Sequence, residues 1–389
     1  MVAVSSSAVA TLVERLEPDL IALRRDLHRH PELGFAEERT ASIVAEAMQR
    51  VGLQVHTGVG GTGVVADLKG EGSGPILLIR AELDALAITE TAGRAFASTT
   101  PGVMHACGHD AHMSALVGTA MILSEMCAKL SGTVRFCFQP AEEILAGAEQ
   151  MISDGATEGV DFVLGTHVLS TVPFGTVVSV PGPFLSGADF FKLSVIGSAG
   201  HGGMPHLSVD AIFAAAQVVT ALQSIVARET EPSTTLVVSI NAIEGEGAAN
   251  VVAEEVVLRG NVRWFSETER ERVLHRIPEV ARAICKGLRA SVSFTVDASA
   301  PVAVNSSKQL DLVEEAVVET DRSVIVNPGP LTFSDDFARL LEIAPGAFIG
   351  IGAGGPDAAP HHHPRFDIDE RAIALMTEVL VRTALRTLS

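Results

Sequence analysis

The stretch Met104–Met113 (MHACGHDAHM) constrains the chain most, because it places three histidines, a cysteine and an aspartate close together. Thiolate and imidazole are the ligands that a zinc-like ion prefers. Cys107 and His109 stand two residues apart, so in an extended or looped backbone their side chains point the same way. Asp110 is a favourable N-cap for an apolar helix predicted over 111–128. The stretch therefore predicts metal ligands just before a helix N-terminus.

A purely structural interpretation of these residues competes with metal binding. A single cysteine is usually a small buried hydrophobe, and a single histidine is usually a satisfied core or surface residue. We interpret His105 and His112 in that way. For the cluster as a whole metal binding is favoured, because a packed core has no use for so many adjacent polar groups. One loop does not complete a site, so further ligands must come from other segments.

Three predicted buried strands are each followed or ended by side chains that bind metals. The strands are 75–80, 133–138 and 161–167, and the groups at their ends are Glu82 with Asp84, Glu142 with Glu143, and His167. In open α/β sheets, sites form at the carboxyl ends of the strands. We therefore expect these groups to converge with the cysteine–histidine stretch at one edge of a sheet.

The middle of the chain has a different character. From about residue 186 the pattern predicts a β-α-β-β-α-β unit, with strands 189–197, 234–243, 251–264 and 291–297 and helices 208–228 and 267–288. The first pattern then resumes with helix 307–319, strands 323–326 and 346–352, and helix 369–388. The predicted fold class is α/β. A mixed-sheet metal-binding domain (1–185 and 299–389) carries an inserted α+β, ferredoxin-like domain (186–298).

Composition and two weaker motifs exclude other classes of function. The formal net charge of -19 argues against a nucleic-acid partner or an anionic membrane surface. The glycine motif 58–63 (GVGGTG) fits a dinucleotide fingerprint, but it precedes a strand-like run and not a helix, so a turn between strands is favoured. The apolar segment 211–227 contains several polar residues and is interpreted as a buried helix, not a membrane span.

The cysteines and the N-terminus indicate the compartment. Four cysteines without paired spacing do not make a disulfide framework. Glu14 and Arg15 interrupt the first apolar run before a signal-peptide core forms. A reducing cytoplasm is therefore expected.

Nearly the whole chain is covered by motifs that resemble one family, the two-metal amidohydrolases related to aminoacylase, hippurate hydrolase, carboxypeptidase G and the indole-acetyl-amino-acid hydrolases. The motifs are DLHRHPELGF, RAELDAL, MHACGHDAHM, QPAEE, GTHV, GHGGMPH, FSDDFA and HHHPRFDIDE. By position, the resemblance implies metal ligands at Cys107, His109, Glu143, His167 and His362. It implies a general base at Glu142, a lid histidine at His201, and lid groups for a substrate carboxylate at Asn250 and Arg263.

Some positions leave alternatives or depart from the family pattern. His361 rivals His362 as the last ligand. Asp84 is expected to take part in catalysis, although the surrounding ELDALA differs from the usual Asp-Met-Asp-Ala-Leu-Pro. Asp335 and Asp336 stand where relatives commonly have Glu-Asp.

The resemblance implies a hydrolytic reaction with two divalent ions, zinc by default and manganese, cobalt or nickel as alternatives. Glu143 would bind metal while Glu142 takes a proton from water and delivers it to the leaving amine. His201 would stabilise the oxyanion, and Arg263 would grip a carboxylate with its bidentate fork.

The expected substrate is a small-molecule N-acyl-L-amino acid, hydrolysed to a carboxylic acid and an amino acid. Alternatives are a dipeptidase, an acyl-diaminopimelate deacylase, and a metal-stabilised binding protein for acylated amino acids. The resemblance also suggests a homo-oligomer that pairs through the inserted domain, with His201 acting in its own subunit or in the partner.

Overall fold

The computed structural model describes residues 6–245, 247–320 and 323–388. Their contacts divide the chain into two compact units. Unit 1 comprises Met1–Phe184, Ala303–Leu331 and Asp335–Ser389, and unit 2 comprises Leu185–Val302 and Thr332–Ser334. The segment 186–298, which the sequence predicts as an insertion, lies inside unit 2. Unit 2 also takes in a short segment that follows much later in the chain.

The described residues of both units form α-helices and β-strands, and the elements between residues 187 and 300 belong to unit 2. The helices are α1 (Ser6–Arg29), α2 (Glu38–Arg50), α3 (His109–Glu125), α4 (Gly147–Ser153), α5 (Ala211–Glu229), α6 (Glu267–Gly287), α7 (Ser307–Val318), α8 (Phe337–Ile343) and α9 (Arg371–Thr387). The strands are β1 (Gln54–Val59), β2 (Gly63–Lys69), β3 (Gly72–Glu82), β4 (Ser131–Gln139), β5 (Phe162–Pro173), β6 (Thr176–Val178), β7 (Gly182–Leu185), β8 (Gly187–Ile196), β9 (Gly200–His201), β10 (Leu236–Gly245), β11 (Val251–Val252), β12 (Glu255–Trp264), β13 (Ser291–Ala300), β14 (Ala303–Asn305), β15 (Val324–Val326) and β16 (Gly346–Gly354).

A mixed sheet forms the centre of unit 1, with the strand order β1-β2-β4-β3-β5-β16-β6-β15. Strand β3 is parallel to both β4 and β5, and Glu82 is paired in register with Gln139. Because parallel strands end at the same edge, the acidic residues that follow β3 and β4 lie close together, as predicted. The prediction that the next strand ends at His167 is wrong. Strand β5 runs on to Pro173 because it pairs with β16, and His167 lies opposite Gly350 within it.

Helix α3 begins earlier than its sequence predicts. It starts at His109, its N-cap is Gly108, and Asp110 is already in the first turn, so the prediction of Asp110 as N-cap is wrong. Gly108 has φ +95°, which favours glycine. A Cβ there would also lie 2.4 Å from Val168 Cγ2. The carboxylate of Asp110 instead accepts hydrogen bonds from Arg24 Nε and His28 Nδ1, at 2.8 and 2.7 Å.

Unit 2 is an antiparallel sheet with two helices. The strand order is β10-β12-β8-β13, and α5 and α6 contribute to its hydrophobic core. Helix α5 is long and apolar enough to cross a membrane by length and composition, a test that core helices of globular proteins also pass. Its buried residues include Val218, Leu222 and Ile225, which belong to the core of unit 2. The opposite face is exposed, and Ile212 and Phe213 are each more than half exposed, so the prediction of a buried helix holds for one face of α5 only.

Candidate metal centre

Two histidines of unit 1, His109 and His167, are hydrogen-bonded through Nδ1, so that Nε2 is the nitrogen available to bind a metal ion. His109 Nδ1 lies 2.9 Å from the main-chain oxygen of Asp84, and His167 Nδ1 lies 2.7 Å from the oxygen of Val168. A carbonyl only accepts, so each Nδ1 carries the hydrogen and each Nε2 retains a lone pair when the ring is neutral. His109 Nε2 is buried and has no hydrogen-bond partner among the described residues. Such an orphaned acceptor fits a metal ligand.

Cys107 lies in the bend before α3 and faces this group. Its Sγ is 3.4 Å from His167 Nε2, and the residue is buried. Burial, together with Glu143 and Glu142, raises the pKa of the Cys107 thiol well above its usual range. A bound cation would reverse that effect, because coordination deprotonates a thiol.

The loop that follows β4 brings two glutamates to the same place. Glu143 Oε1 is 3.8 Å from His109 Nε2, and Glu143 Oε2 is 3.4 Å from His362 Nε2. Glu142 Oε2 is also 3.8 Å from His109 Nε2. Glu143 Oε1 is buried without a hydrogen-bond partner among the described residues. The carboxylate oxygens of both glutamates therefore face histidine nitrogens at distances that leave room for a metal ion between them.

The charges of the site favour a cation. Burial raises the pKa of Glu143 to about 7. Burial opposes the charged form of His109, but Glu82, Asp84 and Glu143 outweigh it and raise the pKa of His109 to about 10. The buried carboxylates therefore recruit positive charge, and divalent ions supply it more effectively than protons do.

His361 and His362 differ in how they are engaged. His362 joins Cys107 and Glu143 in a set whose ligand atoms all lie within 4.8 Å of one another. His361 Nδ1 is 3.7 Å from Cys107 Sγ, while its Nε2 accepts a hydrogen bond from the amide of Ser170 at 3.3 Å. His362 is thus the one whose Nε2 faces a carboxylate.

The donor atoms form overlapping sets, as a shared two-ion centre requires. One set holds Cys107, Glu143 and His362, a second holds His109, Glu142 and Glu143, and a third holds Glu82, His109, His112 and His167. His112 is not available as a ligand, since Nδ1 bonds Glu82 Oε2 at 2.7 Å and Nε2 accepts from the amide of Val168 at 2.9 Å. This agrees with its interpretation as structural.

A buried ionic network beside the site was not found from the sequence. Arg80 Nη2 donates to Asp335 Oδ1 at 2.7 Å and to Asp336 Oδ1 at 3.1 Å, Nε donates to Gln139 at 2.9 Å, and Nη1 pairs with Glu82. Arg80 is almost fully buried. An arginine at the end of the apolar run PILLIR was the available signal, because a buried arginine needs acidic partners.

Three residues that the resemblance implies for catalysis and substrate binding, His201, Asn250 and Arg263, lie in unit 2. His201 in β9 pairs with Val251 in β11, and the amide of Gly202 donates to the oxygen of Asn250 at 2.8 Å, so His201 and Asn250 lie on neighbouring segments. His201 is exposed, and its Nδ1 accepts from the amide of Gly203 at 3.0 Å. In the neutral ring Nε2 then carries the hydrogen and can donate.

Arg263 lies in β12. Its Nη1 donates to Ser334 Oγ, its Nε donates to Asn261 Oδ1 at 3.2 Å, and its guanidinium carbon lies 5.5 Å from the centre of the Phe190 ring. These contacts hold a planar cationic fork in one orientation.

Comparison with known proteins connects this arrangement to one group. Residues 78–386 match the model of the peptidase family M20/M25/M40. The chain is 43% identical to an N-acyl-L-amino acid amidohydrolase of Geobacillus stearothermophilus, over 74% of this chain and 78% of that protein. It is 38% identical to an N-acetyl-L-cysteine deacetylase of Bacillus subtilis, over 96% of this chain and 89% of that protein. A crystal structure of a dinuclear metal-binding peptidase of Bacillus subtilis superposes with a TM-score of 0.78 at 33% identity, covering 96% of this chain and 98% of that one.

Proposed function

The chain belongs to the peptidase family M20/M25/M40 and is a metal-dependent amidohydrolase, and we propose that its substrates are N-acyl-L-amino acids, whose amide bond it hydrolyses. The products are a carboxylic acid and a free amino acid. One observation carries the proposal: a cysteine, histidines and a carboxylate converge on a buried centre, and a second glutamate stands beside them. A protein that only bound acylated amino acids would have no use for that extra acid.

The proposed ligands are those whose donor atoms face the centre: Cys107, His109, Glu143, His167 and His362. Two divalent ions held there would polarise the amide carbonyl and make a water molecule nucleophilic. Thiolate and imidazole ligands favour zinc, and manganese, cobalt and nickel are the alternatives.

We assign proton transfer to Glu142. It takes the proton of the attacking water at its carboxylate and delivers it to the leaving amine. Glu143 does not serve for this, because its oxygens face two histidines. Asp84 orients the site in two ways: its carbonyl fixes the tautomer of His109, and its Oδ2 accepts the amide hydrogen of Glu143 at 2.9 Å.

We assign substrate recognition to unit 2. The fork of Arg263, oriented by Ser334 and Phe190, suits a carboxylate, and Asn250 adds an amide group beside His201. His201 donates from Nε2 to the oxyanion that develops on the amide oxygen. An amino-acid product with a free carboxylate follows from this assignment.

Two further parts of the proposal concern the assembly and the compartment. The chain acts as a homo-oligomer that pairs through unit 2, and it works in a reducing cytoplasm, which the four free cysteines support.

A substrate panel tests the proposal. Protein of known metal content is incubated with N-acetyl, N-benzoyl and long-chain N-acyl amino acids and with dipeptides, with and without a chelator, and amino-acid release is measured. Chelator-sensitive release from the acylated amino acids supports the proposal, and release from dipeptides alone favours the dipeptidase alternative. No release from metal-loaded protein across the panel would refute it in favour of a binding protein or a narrow biosynthetic deacylase.

A further inference from the structure

The loop that carries Glu142 and Glu143 adopts an unfavourable backbone conformation. Ala141 has φ +50° and Leu145 has φ +54°, both in the left-handed region that side chains other than glycine rarely adopt. The two ends of the loop also approach each other closely, since a Cβ on Gly147 would lie 1.6 Å from the carbonyl oxygen of Pro140. Such a conformation persists only where the surroundings enforce it.

Three acidic side chains from distant segments enforce it through main-chain hydrogen bonds. Glu37 Oε1 accepts from the amide of Ala141 at 2.9 Å, Asp84 Oδ2 accepts from the amide of Glu143 at 2.9 Å, and Asp336 Oδ2 accepts from the amide of Ala148 at 2.9 Å. All three acids are almost fully buried. Together they hold the segment 141–148, which comprises residues 141–146 and the first two residues of α4 and which we call the glutamate loop.

Glu37 is the member of this set whose placement needs an explanation. It occupies the N-cap position of α2, yet its side chain makes no capping hydrogen bond there. Glu32 caps that helix instead, accepting from the amides of Arg39 and Thr40 at 3.1 and 2.8 Å. The carboxylate of Glu37 turns to Ala141 and to the hydroxyl of Thr62, which donates to Oε2 at 2.5 Å.

The chain around Glu37 is fitted to the same loop. A Cβ on Gly34 would lie 3.0 Å from the Cα of Ala141 and 3.6 Å from Asp84 Oδ2, so the turn before Glu37 packs directly on the glutamate loop. A buried carboxylate is costly unless it forms strong hydrogen bonds. The carboxyl group of Glu37 is buried and turned away from its own helix, and it accepts its main-chain hydrogen bond from the loop that carries Glu142.

We propose that Glu37 is a positioning residue for the reaction: with Asp84 and Asp336 it holds the glutamate loop so that Glu142 lies at the distance its proton transfer requires. The inference rests on the proposed amidohydrolase function. Thr62, which lies in the glycine motif 58–63, orients Glu37 by a hydrogen bond from its hydroxyl. The motif thus helps to position Glu37 and is not needed to bind a dinucleotide.

The kinetic test compares Glu37→Ala with the matched control Glu32→Ala, which removes a carboxylate that caps the same helix without contacting the loop. Glu37→Ala should lower kcat by about 100-fold, the cost expected of a misplacement near 1 Å, with KM and metal content close to those of the unmodified protein. Glu37→Gln should restore most of kcat, because its amide oxygen still accepts from Ala141. Glu32→Ala should leave kcat nearly unchanged.

Equal kcat in Glu37→Ala and Glu32→Ala would overturn the inference. If Glu37→Ala does not fold, Thr62→Val replaces it, since it removes only the hydroxyl that orients Glu37. A kcat unchanged by Thr62→Val would then count against the inference.

Hydrogen exchange provides a readout that does not depend on the substrate. Amides of the segment 141–148 should lose protection in Glu37→Ala and keep it in Glu32→Ala. Unchanged protection in Glu37→Ala would overturn the positioning role whatever the activity. If the unmodified protein proves inactive, the proposed function is refuted. A loss of protection in Glu37→Ala would then still support the contact by which Glu37 holds the glutamate loop.

Discussion

Replacing Glu142 by glutamine separates proton transfer from metal binding. The side chain keeps its size and loses only the ability to accept and release a proton. No main-chain contact changes, since the hydrogen bond from the amide of Leu145 is accepted by the carbonyl oxygen of Glu142 and not by its carboxylate. The fold and the metal content should therefore be retained.

The size of the effect follows from the role. General acid–base catalysis contributes typically about 10²–10⁴-fold, which corresponds to roughly 3–5 kcal/mol of the activation barrier. Glu142 serves twice in the proposed reaction, at the water and at the amine, so the loss should fall near the upper end of that range. The expected result is a kcat lower by about 10⁴-fold with unchanged metal stoichiometry.

Glu143→Gln is the matched control in the adjacent position. Its oxygens lie 3.8 Å from His109 Nε2 and 3.4 Å from His362 Nε2, so the glutamine should weaken metal binding as well as activity. Steady-state hydrolysis and elemental analysis of both variants decide between the roles. A Glu142→Gln enzyme with near-normal turnover, or a Glu143→Gln enzyme with full metal content and turnover, would refute the assignment.

Three further tests concern two proposed ligands and the ionic network beside them. Cys107→Ala should lose metal, because it removes the thiolate of the donor set, and unchanged metal content by elemental analysis would contradict the ligand assignment. His362→Ala should weaken metal binding more than His361→Ala, since His361 already accepts from a backbone amide; competition with a chelating dye measures the difference, and the reverse order would exchange their roles. Arg80→Met should lower the free energy of unfolding by about 3–5 kcal/mol, because it leaves buried carboxylates uncompensated, whereas the exposed Arg25→Met should change it by less than about 1 kcal/mol in the same urea titration.

Much of the fold of unit 1 could be predicted from local patterns of hydrophobic and polar residues. The buried strands β3, β4 and β5 and the apolar helix α3 follow from runs of hydrophobic residues with polar punctuation. The two acidic clusters were placed correctly because parallel strands end at a common edge. Two errors were at element ends: β5 continues past His167 because it pairs with β16, and α3 begins two residues early after the left-handed Gly108. A third concerns the predicted strand 251–264, which is divided into β11 and β12 in different sheets.

The residue types that gather at the site could be predicted from the sequence, because ligand chemistry and strand periodicity are both local properties. The hydrogen-bond partners of each group depend on its neighbours in the folded chain. His112 was interpreted as structural and His167 as a ligand by resemblance, and the folded chain supplies a physical reason: His112 has both nitrogens in hydrogen bonds, while the Nε2 of His167 faces Cys107. Arg80 and Glu37 each have a partner more than a hundred residues away, Asp335 and Ala141 respectively. A hydrogen bond depends on the distance and direction between such segments, and these exist only once the chain has folded.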